Sequence, residues 1–239
     1  MPDADIASEH TLKDVRIFSD VQTRDRQDIE KHLCRWVNYK SGDLVIDYLD
    51  KSDDVFFVIS GQVSVTLYSL NGRVVSFREL GPGQTFGELA ALDGAPRSAS
   101  VHVRTQGLIA HMTAEHFLQV LHDHPSVALA LLRDLVKNIR NLTMRVYEFS
   151  TLAVSNRLQA ELLRLAKLTA QKGDGFYVLP MPTHEELASR ISTHREAVTR
   201  ELSHLANIGI IERQGRKLVI KDLDRLNAMV HDAIGDWPG

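Results

Sequence analysis

Leu80-Gly-Pro-Gly-Gln-Thr-Phe-Gly-Glu-Leu-Ala-Ala-Leu-Asp-Gly-Ala-Pro-Arg-Ser-Ala-Ser-Val101 carries more chemistry than any other stretch of the chain. Gly87 frees the backbone ahead of a short helical turn expected from Glu88 to Leu92. The N–H groups opening such a turn can cradle an anion. Arg97 follows Glu88 by nine residues and can return to the same pocket as a bidentate phosphate donor. Ionised Glu88 only accepts hydrogen bonds, which suits a sugar hydroxyl. These residues fit a sugar-phosphate site. They fit equally well a structural Glu88–Arg97 ion pair beneath a loop.

The flanking sequence has β texture from about 35 to 112. Asp54-Val-Phe-Phe-Val-Ile-Ser60 is a continuous apolar run closed by Gly61. Val63-Ser-Val-Thr-Leu67 alternates apolar and polar residues, as a half-buried strand does. Asn71-Gly72 joins it to Val74-Val-Ser-Phe77 with the residues a two-residue hairpin favours. Glycines at 42, 61, 72, 81, 83, 87 and 94 space the runs. The pattern predicts a β-roll of about eight strands, preceded by a helix over 20–34 with Val21, Ile29 and Leu33 inward.

Helical texture resumes near Ala114. His124-Pro125-Ser126 reads as a helix start with Ser126 as cap. Leu132, Leu135, Ile139, Leu142, Val146, Phe149 and Ala153 then recur in alternating steps of three and four, a heptad seam. The seam suits a coiled coil between two copies of the chain, or an amphipathic helix covering its own domain. Its flanks are polar (Arg133, Asn138, Arg140, Thr143, Arg145), narrower than the apolar stripe of an intradomain helix. Another helix is expected over 155–172, then a strand Phe176–Leu179, after which Pro180 and Pro182 stop any helix.

Thr183-His-Glu-Glu186 has the spacing of a capping box. The helix it opens buries Leu187, Ala188 and Ile191. Ser192-Thr193 breaks it. A second helix follows, with Val198, Leu202 and Leu205 inward and Gly209 at its end. Ile211-Glu-Arg-Gln-Gly-Arg-Lys-Leu-Val-Ile220 reads as a two-stranded wing with a basic tip. This is a winged helix-turn-helix. Arginine can donate twice to guanine, and glutamate can accept from cytosine. Exposed Arg195, Glu196 and Arg200 therefore either read bases or form a solvated face with a Glu196–Arg200 pair. Arg190, Arg213, Arg216 and Lys217 are expected to neutralise phosphates.

Phe86-Gly-Glu-Leu-Ala and Ala95-Pro-Arg-Ser-Ala-Ser-Val101 strongly resemble the phosphate-binding cassette of cyclic-nucleotide-binding domains. With the seam helix and the helix-turn-helix, the chain resembles Crp/Fnr-type bacterial regulators from about 15 to 222. The resemblance implies an α+β chain. Residues 1–124 would form a jelly-roll-like β-roll binding cyclic AMP and/or cyclic GMP, 125–153 a dimerisation helix and 154–239 the winged helix-turn-helix. It implies ligand contacts at Phe86, Gly87, Glu88, Leu89, Ala90, Arg97 and Ser98, with Glu88 on the ribose 2′-OH and Arg97 on the cyclic phosphate. Leu142-Thr143 falls where cyclic-AMP-binding members place Thr-Ser against adenine; the hydroxyl is lost at Leu142. A serine at position 98 leaves the base open. DNA contacts are implied for Thr183, Thr193, His194, Arg195, Glu196, Thr199, Arg200, Arg213, Arg216 and Lys217, with a palindromic TGTGA-like site read by a homodimer. RNA polymerase is the implied partner. Two positions depart from the family: Ser192 stands in for the turn glycine and His184 for a phosphate-binding arginine.

Composition has the ordinary balance of a globular protein: 44% of the 239 residues are hydrophobic and 25% charged. Residues 1–150 carry 16 Lys and Arg against 20 Asp and Glu, and residues 151–239 carry 12 against 11. Bulk charge therefore says little about DNA. No segment approaches the ~20 apolar residues of a membrane helix. Met1-Pro-Asp-Ala-Asp5 is no signal-peptide start, and the lone Cys34 suits a reducing compartment. A cytoplasmic protein off the membrane is expected. Cys34 alone cannot hold an iron–sulfur cluster. His102, His111, His122 and His124 leave a haem sensor as an alternative. A family member that binds DNA without a cyclic nucleotide is another. A cupin-like metalloenzyme would need clustered ligands that the sequence does not offer. No metal and no catalysis are expected.

Overall fold

The computed structural model describes residues 11–68, 74–169, 171–172, 177–180, 182–215 and 217–234. The chain divides into two compact units, Met1–Lys137 and Asn138–Gly239.

The first unit opens with a 3-10 turn, Arg16–Phe18, and helix α1, Thr23–Leu33. Strands follow: β1 Arg35–Tyr39, β2 Leu44–Ile46, β3 Val55–Val58, β4 Gln62–Tyr68, β5 Val74–Leu80 and β6 Thr85–Phe86. Then come α2 Glu88–Asp93, β7 Ser100–Thr105, β8 Gly107–Met112, α3 Ala114–Asp123 and the long α4, Pro125–Thr151. The eight strands form two antiparallel sheets, β1-β8-β3-β6 and β2-β7-β4-β5. The expected β-roll is therefore present. Asn71-Gly72 lies outside the described residues, but the strands on either side of it, β4 and β5, pair antiparallel.

The continuous apolar run at 54–60 has a simple cause. β3 is buried on both faces. Phe56 and Val58 pack with Val63, Val101 and Val103 in the core shared by both sheets. Val55 and Phe57 pack on the other side with Phe18, Phe117 and Val127, under the helices. A strand covered twice loses the alternation that a half-exposed strand keeps.

Helix α4 starts two residues earlier than a cap at Ser126 would place it. Pro125 is its first residue, and the carbonyl of His124 accepts from the Val127 N–H at 2.9 Å. Proline suits this position because its missing N–H would have no partner there. Ser126 is thus inside the helix and does not cap it. Leu135 also corrects the seam: it packs on the core of the first unit with Val127 and Leu131. Val136 is the exposed apolar residue at this level, 50% accessible. The helix ends at Thr151, so Ala153 lies beyond it.

The second unit contains α5 Val154–Thr169, β9 Gln171–Lys172, β10 Tyr177–Pro180, α6 His184–Arg190, α7 Arg195–Asn207, β11 Ile211–Gln214, β12 Lys217–Ile220 and α8 Leu223–Ile234. The strands form one sheet in the order β11-β12-β10-β9. Leu158, Leu162, Leu187, Val198, Leu205, Ile210, Ile220 and Leu226 make a single core. The capping box is complete, with Thr183 and Glu186 each bonding the other's backbone N–H. Phe176 and Arg216 lie outside the described residues. Helix α8 extends the fold past the wing. Asp222 caps it, accepting from Arg225 N–H at 2.8 Å, and Leu226 and Val230 face the core one turn apart.

Candidate functional site

In the first unit, the glycine turn and Arg97 do come together. Gly87 has φ 81°, a left-handed conformation that L side chains avoid, and α2 begins directly after it. A Cβ at position 87 would stand 2.9 Å from Arg97 Nη1 and 2.9 Å from the Asp54 carbonyl. Only glycine fits against the guanidinium.

Arg97 is 2% exposed. Its Nε donates to Ser52 Oγ at 3.1 Å, Nη1 to the Gly87 carbonyl at 2.9 Å and Nη2 to the Asp54 carbonyl at 2.8 Å. The guanidinium also lies over the Phe56 ring, 5.5 Å from its centroid. Phe56 stacks on Phe86 at 4.9 Å. A strap fixes the backbone: Leu49 N–H donates to the Arg97 carbonyl and Arg97 N–H to the Asp50 carbonyl. Leu49 holds φ 65° to make that turn. The expected alternative, a direct Glu88–Arg97 bridge, is not how Arg97 is held. Its hydrogen-bond partners are two carbonyls and a hydroxyl.

The electrostatics follow from this. Burial pushes the Arg97 pKa down, against the more distant pull of Asp54, Asp53, Asp50 and Glu88. A guanidinium has five N–H donors, and three hydrogen bonds leave two for an anion. Glu88 is also buried. Desolvation raises its pKa, opposed by its own backbone N–H and by the attraction of Arg78. A carboxylate in that state gains from a hydroxyl donor. An under-compensated cation and an under-compensated acceptor thus flank one glycine turn, which fits a sugar phosphate. Phe86 and Ala90 are buried, while Leu89 and Ser98 are exposed. Asp54, Ser52 and Phe56, which set the arginine, escaped the sequence reading. Their place next to Arg97 comes from β3 and the segment leading into it, over forty residues away in the chain.

In the second unit, Arg195, Glu196, Thr199 and Arg200 line one shallow depression on α7. All four are exposed, as are Thr183 and His194; Thr193 is half-buried. Arg213 and Lys217 are exposed on the wing, where Gly215 turns with φ 60°. Ser192 takes φ 50° in the turn between α6 and α7, the conformation a glycine would adopt freely. His184 Nδ1 is 2.7 Å from Thr199 Oγ1, so this histidine ties α6 to the recognition helix. Arg190 corrects an expectation. It is not a free phosphate donor, because its Nη1 lies 3.3 Å from the buried Glu161 carboxylate.

The comparisons with known proteins agree with both units. Residues 36–124 match the cyclic nucleotide-binding domain, and residues 156–229 match the Crp-like helix-turn-helix domain. The chain belongs to the Crp/Fnr family of transcription regulators. Among its Crp/Fnr relatives is the CRP-like cAMP-activated global transcriptional regulator of Mycobacterium tuberculosis. That protein is 28% identical over 191 residues, which span 80% of this chain and 85% of the relative. The cAMP-activated global transcriptional regulator CRP of Haemophilus influenzae is 26% identical over 190 residues, 78% of this chain and 84% of that one. A CRP/FNR-family regulator from Thermus thermophilus superposes with a TM-score of 0.65 at 26% identity, covering 83% of this chain and 100% of its own. A CooA mutant from Carboxydothermus hydrogenoformans shares the fold, with a TM-score of 0.72 at 21% identity over 82% of this chain and 88% of that one. The chain is therefore a transcription regulator and not an enzyme, with a cyclic nucleotide-binding domain in its first unit and a Crp-like helix-turn-helix domain in its second. No helix among the described residues is long and apolar enough to cross a membrane.

Proposed function

We propose that this Crp/Fnr regulator is a homodimer that binds cyclic AMP and/or cyclic GMP and then engages a palindromic, TGTGA-like DNA site. One observation carries the ligand reading: Arg97 is buried at 2% exposure while its hydrogen bonds go to neutral acceptors. A charge taken out of water costs several kcal/mol unless an opposite charge meets it. The ring phosphate of a cyclic nucleotide supplies that charge, and Glu88 accepts from the ribose 2′-OH. Gly87, Phe86, Leu89, Ala90 and Ser98 line the same pocket in this proposal. Leu142 and Thr143 are the proposed base contacts. cAMP activation in the named relatives supports the same ligand class.

The dimer reading draws on α4. Leu129, Leu132 and Val136 are 49–56% exposed, and beyond Lys137 Ile139, Leu142 and Val146 are 51–65% exposed. Apolar residues at such spacing along one helix gain by pairing with a second copy. Two recognition helices about 34 Å apart would then meet successive major grooves. Arg195, Glu196 and Arg200 would read bases. Thr183, Thr193, His194, Thr199, Arg213, Arg216 and Lys217 would contact the DNA around them. In this proposal the regulator works in the cytoplasm and passes its signal to RNA polymerase.

The test is fluorescence anisotropy with a duplex carrying two inverted TGTGA half-sites, titrated with the full chain. Runs without nucleotide, with cyclic AMP and with cyclic GMP are compared. At least one nucleotide is expected to raise affinity tenfold or more, with sedimentation showing a dimer. Equal binding in all three runs, or a monomer at micromolar concentration, rejects the proposal.

A further inference from the structure

Inside the second unit, five charged side chains from three helices meet at a buried point. Glu161, on α5, is 1% exposed. Its Oε2 accepts from Arg145 Nη2 at 3.2 Å and also pairs with Arg164 Nη1. Its Oε1 accepts from Arg190 Nη1 at 3.3 Å. Arg145 lies on the last turns of α4, and Arg190 is the last residue of α6. Arg145 Nη1 also donates to the Arg190 carbonyl at 3.1 Å, so α4 bonds directly to the end of α6. Glu148, 6% exposed on α4, holds Arg164 with both oxygens, at 2.7 and 2.9 Å from Nη2. Two residues before Glu161, Gln159 donates to Glu201 Oε1 of α7 at 2.8 Å. Helix α5 is thus tied by polar contacts to α4 on one side and to both helices of the helix-turn-helix on the other.

Apolar packing alone would let these helices slide at little cost, because it is non-directional. A carboxylate shared by three guanidiniums is different. Its bonds are directional, and breaking any of them strands a desolvated charge. We propose that Glu161 is a positioning residue: its carboxylate clamps the last turns of α4 to α6, and so sets the angle at which the DNA-reading helix α7 is presented. Its meaning for regulation rests on the proposal that α4 responds to a nucleotide. The clamp itself needs neither nucleotide nor DNA.

The experiment uses the full chain with Cys34→Ser, spin-labelled at Asn141→Cys on α4 and Ser203→Cys on α7. Both sites are exposed and belong to the second unit. Labelled protein is diluted with unlabelled protein, so that the distance within one chain is read by pulsed electron double resonance without nucleotide or DNA. The unsubstituted clamp is expected to give one narrow distance. Glu161→Gln keeps the shape and removes the charge, and it should at least double the width of the distribution. Glu161→Asp keeps the charge and should recover most of the narrowing, which a role in filling space would not produce. The exposed Arg133→Met serves as a control and should change nothing. A Glu161→Gln distribution that superposes on the original overturns the proposal. Should Glu161→Gln fail to fold, as judged by circular dichroism, Arg145→Met carries the test with the same two outcomes. A second readout separates the two proposals. Glu161→Gln should weaken DNA binding about tenfold while leaving cyclic AMP affinity unchanged. If the parent protein binds no nucleotide, the ligand reading fails while the label distances still judge the clamp.

Discussion

Arg97 in the first unit and Glu161 in the second are both almost fully buried charges, and they are treated in opposite ways. Three arginines surround Glu161, and its bonds stay within the protein. Arg97 is given two carbonyls and a hydroxyl, with carboxylates acting only from a distance. The first arrangement is complete as it stands. The second leaves part of a guanidinium's capacity to something that is not protein. Burial of a charge therefore does not by itself mark a functional site; the kind of partner it is given does.

The largest effect should come from emptying the complete site. Glu161→Ala leaves three guanidiniums without their shared acceptor, and stability should fall by about 3–5 kcal/mol, the usual cost of breaking a buried pair. Arg97→Met removes a desolvated charge while depriving two carbonyls of a donor, so stability should shift by only about 1 kcal/mol. Urea unfolding of the two variants checks the contrast. Equal losses would erase it.

The next effect concerns a buried group kept neutral. His111 is 5% exposed and stands edge-on to Phe56, the ring beneath Arg97. Arg35 can only donate, so its 3.2 Å contact makes His111 Nδ1 an acceptor, leaving Nε2–H for Tyr39 Oη at 3.1 Å. Burial first, then the Arg35 charge, lowers the pKa from 6.5 to about 4. Between these values the unfolded chain takes up a proton that the folded chain refuses. The stabilising effect is full above pH 6.5 and is lost as pH falls toward about 4. The loss amounts to about 3 kcal/mol by linkage. The unfolding midpoint should drop across that window, and His111→Gln should flatten the profile. An unchanged slope in the variant would place the acid sensitivity elsewhere.

The smallest effect tests the backbone. Ser192 holds φ 50° where the family's turn glycine would carry no penalty. Ser192→Gly should stabilise the second unit by about 1 kcal/mol through relief of that strain, visible as a higher melting temperature. A lower melting temperature would mean that the serine side chain contributes more than its conformation costs.

These contrasts also show what a sequence can disclose. Local signals were readable: the strands on either side of Asn71-Gly72, the capping box at Thr183, the wing about Gly215 and the glycine turn at Gly87 all depend on residues a few positions apart. The resemblance in 86–101 then supplied a role for Arg97. What could not be read is long-range. Arg190 looks like one more basic residue beside a DNA-reading helix until Glu161, 29 positions earlier, is placed against it. Leu135 keeps heptad spacing yet turns inward, because its helix covers its own unit as well. Helix α8 did carry a signal, an Asp222 cap before Leu223, Leu226 and Val230, but the motifs read from the sequence end near residue 222, whereas the helix-turn-helix match runs on to 229.

The central claim is that Arg97 awaits a ring phosphate, and calorimetric titration of the full chain with cyclic AMP and with cyclic GMP, repeated on Arg97→Met, tests it most directly. At least one nucleotide should bind once per chain, and the variant should lose roughly 100- to 1,000-fold in affinity, the worth of about two charge-assisted hydrogen bonds. No heat from either nucleotide, or a variant that binds as tightly as its parent, would contradict the account.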